Sequence, residues 1–133
     1  MYFARTIQSR QRGVSMIGFL FFAAIAIVLA MLAMKLVPAY IEFFSVKKVL
    51  SAMGQDADLR SKSNAEIRSD FSRRAGVAYV SEVKPEDLSI DRRGGVPVIS
   101  VDYAFRTKLI GNVSLVVDFS ASSDPNAAPP QIE

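Results

Sequence analysis

The amino-acid sequence predicts an α+β protein that begins with a membrane-spanning helix. Three patterns support this: an uncharged apolar run over residues 14–34, an apolar stripe at helical spacing over 39–53, and alternation of apolar and polar residues from about residue 77 onward. We therefore expect a transmembrane helix extending into a stem helix, a short second helix, and an antiparallel meander of three or four strands. A chain of 133 residues has room for one such small domain.

The first predicted element is the apolar run over residues 14–34, in which Ser15 is the single hydroxyl side chain. At helical rise this run is roughly 31 Å long, about the thickness of the hydrocarbon core of a bilayer. A buried core helix of that length would be unusual in so small a chain. The run therefore predicts a membrane span.

A cleaved signal peptide is the alternative for this run, because Arg5, Arg10 and Arg12 precede it. The run is longer than the roughly 7–15 residues typical of signal peptides. Cleavage after the Ala-x-Ala pattern at residues 24–26 would also leave a strongly apolar new terminus. We predict an uncleaved anchor.

The distribution of charge separates a basic tail from a balanced remainder. Residues 1–13 carry three arginines and no acid, whereas residues 35–133 carry 13 basic and 13 acidic groups. A nucleic-acid-binding domain would have its basic excess on the folded part, so we expect no nucleic-acid partner.

The orientation of the span depends on the basic residues near its two ends. Their numbers on the two sides are nearly equal, because three arginines precede the span and Lys35, Lys47 and Lys48 follow it. We expect the compact arginine block to stay in the cytoplasm and the remainder to be periplasmic.

The apolar stripe of the stem continues the span as one helix to about residue 53. Its members recur at spacings of four, three, four and three, and are Ala39, Phe43, Val46, Leu50 and Met53. Pro38 is expected to kink or weaken this helix, and Gly54 to supply its C-cap.

A second, shorter helix is predicted over residues 64–75. Ser63 and Glu66 have the spacing of a capping box, and Gly76 is expected to end the helix. Ile67 and Phe71 are expected to face the core.

The remaining elements are predicted as strands. A first strand is expected over residues 77–83, a turn over 84–87, and a hairpin turn at Gly94–Gly95. A second turn at Gly111–Asn112 separates two alternating strands, whose inner faces carry Ile99, Val101, Tyr103, Phe105, Leu109, Val113, Leu115, Val117 and Phe119. The predicted division is a cytoplasmic tail (1–13), a transmembrane helix (14–34), a periplasmic stem and α+β domain (35–123), and a disordered tail (124–133).

Composition and motifs favour a protein without enzymatic activity. The chain has no Cys and no His, which excludes disulfides, Cys/His zinc sites, thiol nucleophiles and Ser-His-Asp relays. The Glu86–Asp87 pair is expected to lie in a solvated turn, and no Ser–Lys pair is marked above the others. We expect no catalytic residue, no metal, no cofactor and no small-molecule substrate.

Small residues along the span are the best candidate for a specific contact. Ala23, Ala26, Ala30 and Ala33 form a seam along one side of the helix, and such seams allow transmembrane helices to approach closely. The alternative is that alanine is simply common in apolar helices. Beside the lipid bilayer, the seam predicts a membrane-protein partner or self-association through the span. Tyr40, Phe43 and Phe44 fit either an interfacial aromatic belt or the core of the stem.

The segment RGVSMIGF, followed by a long apolar helix and a small sheet, resembles the N-terminus of a type IV prepilin. The resemblance implies a pilin-like layout and cleavage between Gly13 and Val14. The chain departs from that family where a Glu important for subunit assembly is usual, because the position holds Gly18. It also has Val14 where Phe or Met is more usual.

A resemblance that covers most of the chain is carried by several segments: RQRGVSMIGFLF, MKLVPAYIEFFSVKKVL, AEIRSDFSRRAGVAYV, KPEDLSI and VISVDYAFRTKLIGNVSLVVDF. These resemble the bacterial family labelled domain of unknown function 4845. The resemblance implies a small single-span inner-membrane protein of proteobacteria, whose gene often lies beside that of signal peptidase I. It implies no activity and no catalytic residues.

Together these observations predict a non-enzymatic binding or scaffold subunit of an inner-membrane complex. The gene neighbourhood that the family resemblance implies adds the expectation of a link to protein export or processing. A pilin-like or pseudopilin-like subunit processed after Gly13 is the first alternative. An enzyme is the second alternative and requires a cleft with convergent polar groups.

Overall fold

The computed structural model describes Gly13 and residues 15–126. Its elements are helix α1 (Met16–Gly54), helix α2 (Asn64–Val77), a single 3₁₀ turn (Pro85–Asp87), and strands β1 (Ser89–Asp91), β2 (Val98–Ile110) and β3 (Val113–Ser122). This is the predicted α+β layout. Residues 1–12 of the predicted N-terminal tail and residues 127–133 of the predicted C-terminal tail lie outside the described residues.

Helix α1 is continuous over 39 residues and has two distinct halves. Its buried residues all lie in the second half and are Ala39, Val46, Val49, Leu50 and Met53. The predicted stripe therefore does pack against the domain. The helix is not interrupted at Pro38, because a single missing N–H removes one bond of the ladder while packing of the stem holds the turns on its C-terminal side.

The glycine at the end of α1 has a different role from the predicted cap. The C-cap position is Gln55, with φ −90°, and Gly54 does not have a left-handed backbone. A Cβ built on Gly54 would lie 2.8 Å from the carbonyl oxygen of Ser123. Gly54 is therefore suited to close approach of the chain after β3 rather than to a left-handed turn.

Helix α2 begins at the predicted capping box. The Ser63 hydroxyl accepts the backbone N–H of Glu66 at 3.3 Å, and the Glu66 carboxylate accepts the backbone N–H of Ser63 at 2.6 Å. The helix runs through Gly76 and ends at Val77, and the left-handed residue beyond it is Tyr79, with φ 57°.

The prediction of a strand over residues 77–83 is wrong. Val77 completes α2, and the chain that follows makes contact with α1 instead of a sheet. The Glu42 carboxylate accepts the backbone N–H groups of Ser81 and Glu82 at 2.5 and 2.6 Å. These two donors are consequently engaged by a side chain, and the segment stays irregular although its Val83 is buried.

The strands form an antiparallel sheet in the order β1-β2-β3. The long hairpin of β2 and β3 is in register from Ser100 opposite Ser122 to Lys108 opposite Ser114, with an irregularity between Lys108 and Ile110. Burial alternates along both long strands, as the sequence predicts, except at the hairpin tip, where Val113 is exposed although it was predicted on the inner face.

One face of this sheet packs against the stem half of α1 and against α2. The core they share contains Val46, Val49, Leu50, Met53, Leu59, Ile67, Phe71, Ala75, Val83, Leu88, Ile99, Val101 and Ala121. Both helices thus supply the cover that an antiparallel sheet with one apolar face requires.

Candidate interaction surface

The first half of α1 exposes an apolar surface that the domain does not cover. Of its most apolar stretch of 18 residues, 0% is buried inside the structure. Its exposed large side chains include Met16, Ile17, Phe19, Leu20, Phe21, Phe22, Ile27 and Leu29. Within the described part of the chain, α1 is a helix long and apolar enough to cross a membrane, and it lies near the N-terminus.

The alanine seam lies along this exposed half. Ala26, Ala30 and Ala33 are exposed and Ala23 is half-buried. Successive helical residues are rotated by about 100°, which places the seam roughly opposite the face that carries Val28 and Lys35. That opposite face is the one that the domain contacts.

The tip of the β2–β3 hairpin reaches back to this opposite face of α1. An apolar groove there is lined by Val28, Met31, Leu32, Lys35, Leu109, Ile110 and Val113. The Lys35 ammonium donates to the backbone carbonyl of Lys108, next to the irregularity in the hairpin. Consequently, the sheet extends along α1 beyond the stem and into the apolar run.

An aromatic cluster joins the stem to the middle of the hairpin. The rings of Phe43 and Phe119 are stacked with centroids 4.8 Å apart, and Tyr40 meets the same Phe119 ring edge-on at 5.2 Å. Phe44 remains mostly exposed. Of the two predictions for these aromatics, Phe43 therefore fits the stem core, whereas Phe44 is free for an interfacial role.

Tyr103 completes this cluster and carries an unpaired polar atom. Its ring lies 5.4 Å from that of Phe119, and its hydroxyl is buried without a hydrogen-bond partner among the described residues. Burial of the phenol, with smaller contributions from the charges of Glu42 and Glu82, raises the pKa of Tyr103 to about 12. The phenol is therefore neutral at ordinary pH and is not prepared to act as a base.

Charged side chains cluster where the loop after α1 meets α2. Lys62 Nζ lies 2.7 Å from Asp56 and 3.3 Å from Asp70, and Arg74 Nε lies 3.3 Å from Asp70. The hydrogen bond that the Lys62 ammonium donates to the Asp56 carboxylate lowers the pKa of Asp56 and raises the pKa of Lys62. Every acid here has a basic neighbour, so the cluster joins the loop to α2 and presents no free carboxylate pair.

The residues weighed for chemistry are engaged in local structure. Asp87 accepts the backbone N–H of Lys84 at 2.9 Å and so caps the 3₁₀ turn, while Glu86 is exposed. Arg92 donates to Asn64 at 2.9 Å and to the carbonyl of Lys62, bracing the start of α2. Among residues 15–126 the structure brings together no group of three or more acidic side chains that could hold a metal ion.

A comparison with known protein families identifies the part of the chain that follows the apolar run. The family model described as Domain of unknown function (DUF4845) matches residues 35–119. The chain belongs to this family. The DUF4845 match begins where the apolar run ends and covers the stem of α1, α2 and most of the sheet. No curated protein and no solved structure matches the chain.

The prepilin-type cleavage position is only partly within the described residues. Gly13 is exposed and precedes α1, whereas Val14 lies outside them. The DUF4845 match starts downstream of this junction, so it does not bear on processing there.

Two contacts of the candidate surface were not predicted from the sequence. The Lys35–Lys108 bond and the Glu42 contact with residues 81 and 82 both join residues distant in the chain. The sequence does carry a signal for the Lys35–Lys108 contact. The alternation of apolar and polar residues extends through Leu109, which makes the hairpin long enough to reach past the N-terminal end of the stem.

Proposed function

We propose that this DUF4845 protein is a single-span membrane protein that serves as a non-enzymatic binding or scaffold subunit of a membrane complex. We place its N-terminus in the cytoplasm and its α+β domain in the periplasm of a bacterium, anchored in the inner membrane. The observation that carries the proposal is the division of α1 into an exposed apolar half and a half that forms the domain core.

This division favours a bilayer as the cover of the first half. An apolar surface that extends around a whole helix is costly in water and is matched by lipid. The domain packs on the second half of the same continuous helix, so its position relative to the membrane is restrained by α1 itself. A domain held in this way suits the presentation of a surface to a partner at fixed distance from the bilayer.

The alanine seam is the part of the span that we assign to a partner helix. It faces away from the hairpin tip, so a second helix can approach it without displacing the domain. Close approach at small residues gains packing contacts that lipid chains do not supply. We propose a membrane protein of the export or processing machinery as that partner, an expectation that comes from the gene neighbourhood implied by the family resemblance; self-association is the alternative.

We propose that the protein has no catalytic role. The acids and bases of the charged cluster are paired with each other, as at Asp56–Lys62, and Asp87 caps its own turn. Catalysis by paired acids requires carboxylates that converge on a common point, and the Glu86–Asp87 pair has one member engaged in its own turn.

The intact mass of the protein extracted from its native membrane is the first test. A full-length mass, together with recovery of the protein in the membrane fraction after carbonate washing, is expected for an uncleaved span. A mass beginning at Ile27 would show that the apolar run is a signal peptide and would overturn the proposal. Co-purification in mild detergent, compared with a seam variant, then identifies the partner.

A pilin-like or pseudopilin-like subunit is the second candidate. It is favoured by the same exposed apolar half, because the core of a helical filament also covers such a surface. This candidate predicts a mass beginning at Val14 and loss of that processing when prepilin peptidase is deleted. The substitution of the usual Glu by Gly18 opposes it.

A further inference from the structure

We infer that the tip of the β2–β3 hairpin, residues 109–113, is a second membrane-contacting element that enters the interfacial layer of the bilayer beside α1. This inference rests on the proposed function, because it requires residues 14–34 to span the membrane. The partner surface is the lipid bilayer itself.

The length of the hairpin determines where its tip lies. At its base, the chain after β3 approaches the C-terminal end of α1, where Ser123 lies against Gly54. From Gly54 back to Val28 is about 39 Å along a helix, and the 13 residues of β2 extend for about 40 Å. The tip accordingly reaches Val28, Met31 and Leu32, with the bond from Lys35 to the Lys108 carbonyl just before the turn.

These contact residues belong to the predicted span rather than to the stem. Leu32 and Val28 lie about 3 and 9 Å before Met34 along the helix axis. Interfacial elements of membrane proteins are buried about 5–10 Å into the boundary between head groups and acyl chains. A tip packed at this level of α1 therefore lies within the interfacial layer of the bilayer.

The side chains of the tip suit that environment. Ile110 is 62% exposed and Val113 is 60% exposed, so both leave apolar surface that the protein does not cover. Residues 105–117 contain two basic residues and no acidic one. The basic residues, Arg106 and Lys108, are exposed on the strand just before the tip, where their long side chains can reach phosphate head groups.

The backbone limits how deep the tip can go. Beyond Ser100, strand β2 has no hydrogen-bonded neighbour other than β3 in the described sheet, so the hairpin has open edges. Open edges are not tolerated in the hydrocarbon core, where water cannot satisfy them. The Lys35 ammonium satisfies one such group, the Lys108 carbonyl. Only the turn is therefore expected to enter, and only the interfacial layer.

The chain has no native cysteine, so a single cysteine can carry a fluorescent label without other changes. The full-length protein is labelled at Ile110→Cys and reconstituted at low density in vesicles of phosphatidylcholine and phosphatidylglycerol. Leu20→Cys, exposed in the span, is the control for lipid contact. Ala57→Cys, exposed beyond the far end of α1, is the control for water contact. Quenching by brominated lipid and by aqueous iodide is compared.

We expect brominated lipid to quench the Ile110 label several-fold more than the Ala57 label, with iodide showing the reverse order. If Ile110 matches Ala57 while Leu20 is quenched by lipid, the span stands and the tip proposal is overturned. If neither Leu20 nor Ile110 is quenched by lipid, the proposed membrane span itself fails. Protection of Ile110 from both quenchers that increases with protein density would mean that a second copy covers the tip, which also contradicts the proposal.

Discussion

Gly54 and Ser123 lie so close that no side chain fits between them. A Cβ on Gly54 would be 2.8 Å from the Ser123 carbonyl oxygen and 3.0 Å from its Cβ. The Ser123 hydroxyl also accepts the backbone N–H of Ile99, and the Ser123 N–H donates to the Ile99 carbonyl. This contact fixes the base of the hairpin against the end of α1, and thereby the level that the hairpin tip reaches.

Gly54→Ala is therefore expected to destabilise the domain by about 1–3 kcal/mol, as overpacking of a tight contact does. The Ser123 carbonyl oxygen belongs to the backbone and the Ser123 Cβ is bonded directly to the backbone, so neither atom can rotate away. Gly76→Ala is the matched control, because nothing lies within 4 Å of the added Cβ. Alanine in place of a glycine inside a helix is expected to raise the free energy of unfolding by up to about 1 kcal/mol. Chemical unfolding of the full chain in detergent measures both; equal stability of the two variants would contradict the role assigned to Gly54.

The two halves of α1 are expected to respond differently to the same kind of truncation. Leu50 is fully buried in the stem, so Leu50→Ala should cost about 2–5 kcal/mol of domain stability. Met34 is 78% exposed, so Met34→Ala should change domain stability by less than about 0.5 kcal/mol. Unfolding followed by the circular dichroism of the sheet measures the difference. A large loss for Met34→Ala would show that the domain depends on the first half of the helix.

The alanine seam yields a prediction about association rather than stability. Ala26→Leu combined with Ala30→Leu should reduce recovery of the co-purifying membrane partner, or of the dimer, without reducing membrane insertion. Ala24→Leu is the matched control, because Ala24 is exposed on the same span but roughly opposite the seam. Unchanged recovery in the double variant would identify the seam as ordinary lipid-facing surface.

Patterns that depend on local spacing were predicted well from the sequence. The period of the stem stripe, the Ser63–Glu66 capping box and the alternation of β2 and β3 each reflect interactions within a few residues or a repeated burial. The predictions that were wrong involve competition from distant groups. Residues 77–83 have strand-like composition, yet α2 extends into them and the Glu42 carboxylate of α1 engages two of their N–H groups.

The candidate interaction surface can likewise be divided into features that the sequence shows and features that depend on distant contacts. The exposed apolar run and the four alanines are visible in the sequence because one helix contains them all. The position of the hairpin tip beside Val28 is not visible, since it depends on the packing of a strand and a helix of similar length over about 40 Å. The sequence likewise predicts a cap at Gly54 and not a tight contact, because a glycine after a helix is most often left-handed there.

Tyr103→Phe is expected to stabilise the domain slightly at neutral pH, by about 1 kcal/mol, because it removes a buried hydroxyl that has no partner. The stabilisation by Tyr103→Phe, relative to the unsubstituted protein, should increase at alkaline pH. The folded-state pKa of Tyr103 is raised to about 12 from 10.0, so the unfolded state releases the phenol proton first and the stability of the domain falls as the pH rises between these values. Unfolding at a series of pH values measures this loss, which Tyr103→Phe should remove and Tyr79→Phe, at an exposed site, should leave in place.

The Asp56–Lys62 pair predicts a loss of stability in acid. The Lys62 hydrogen bond lowers the folded-state pKa of Asp56, so its contribution is complete above the ordinary value of 3.8 and is lost as the pH falls below it. Asp56→Asn should lower stability at neutral pH and flatten the acid limb of the stability curve. The control is Asp118→Asn, at an exposed carboxylate on β3. Conversely, the folded-state pKa of Lys62 is raised, so the contribution of Lys62 to stability is complete below its ordinary pKa of 10.5 and is lost at higher pH. An acid limb of equal slope in Asp56→Asn and the unsubstituted protein would mean that the pair does not contribute to folding.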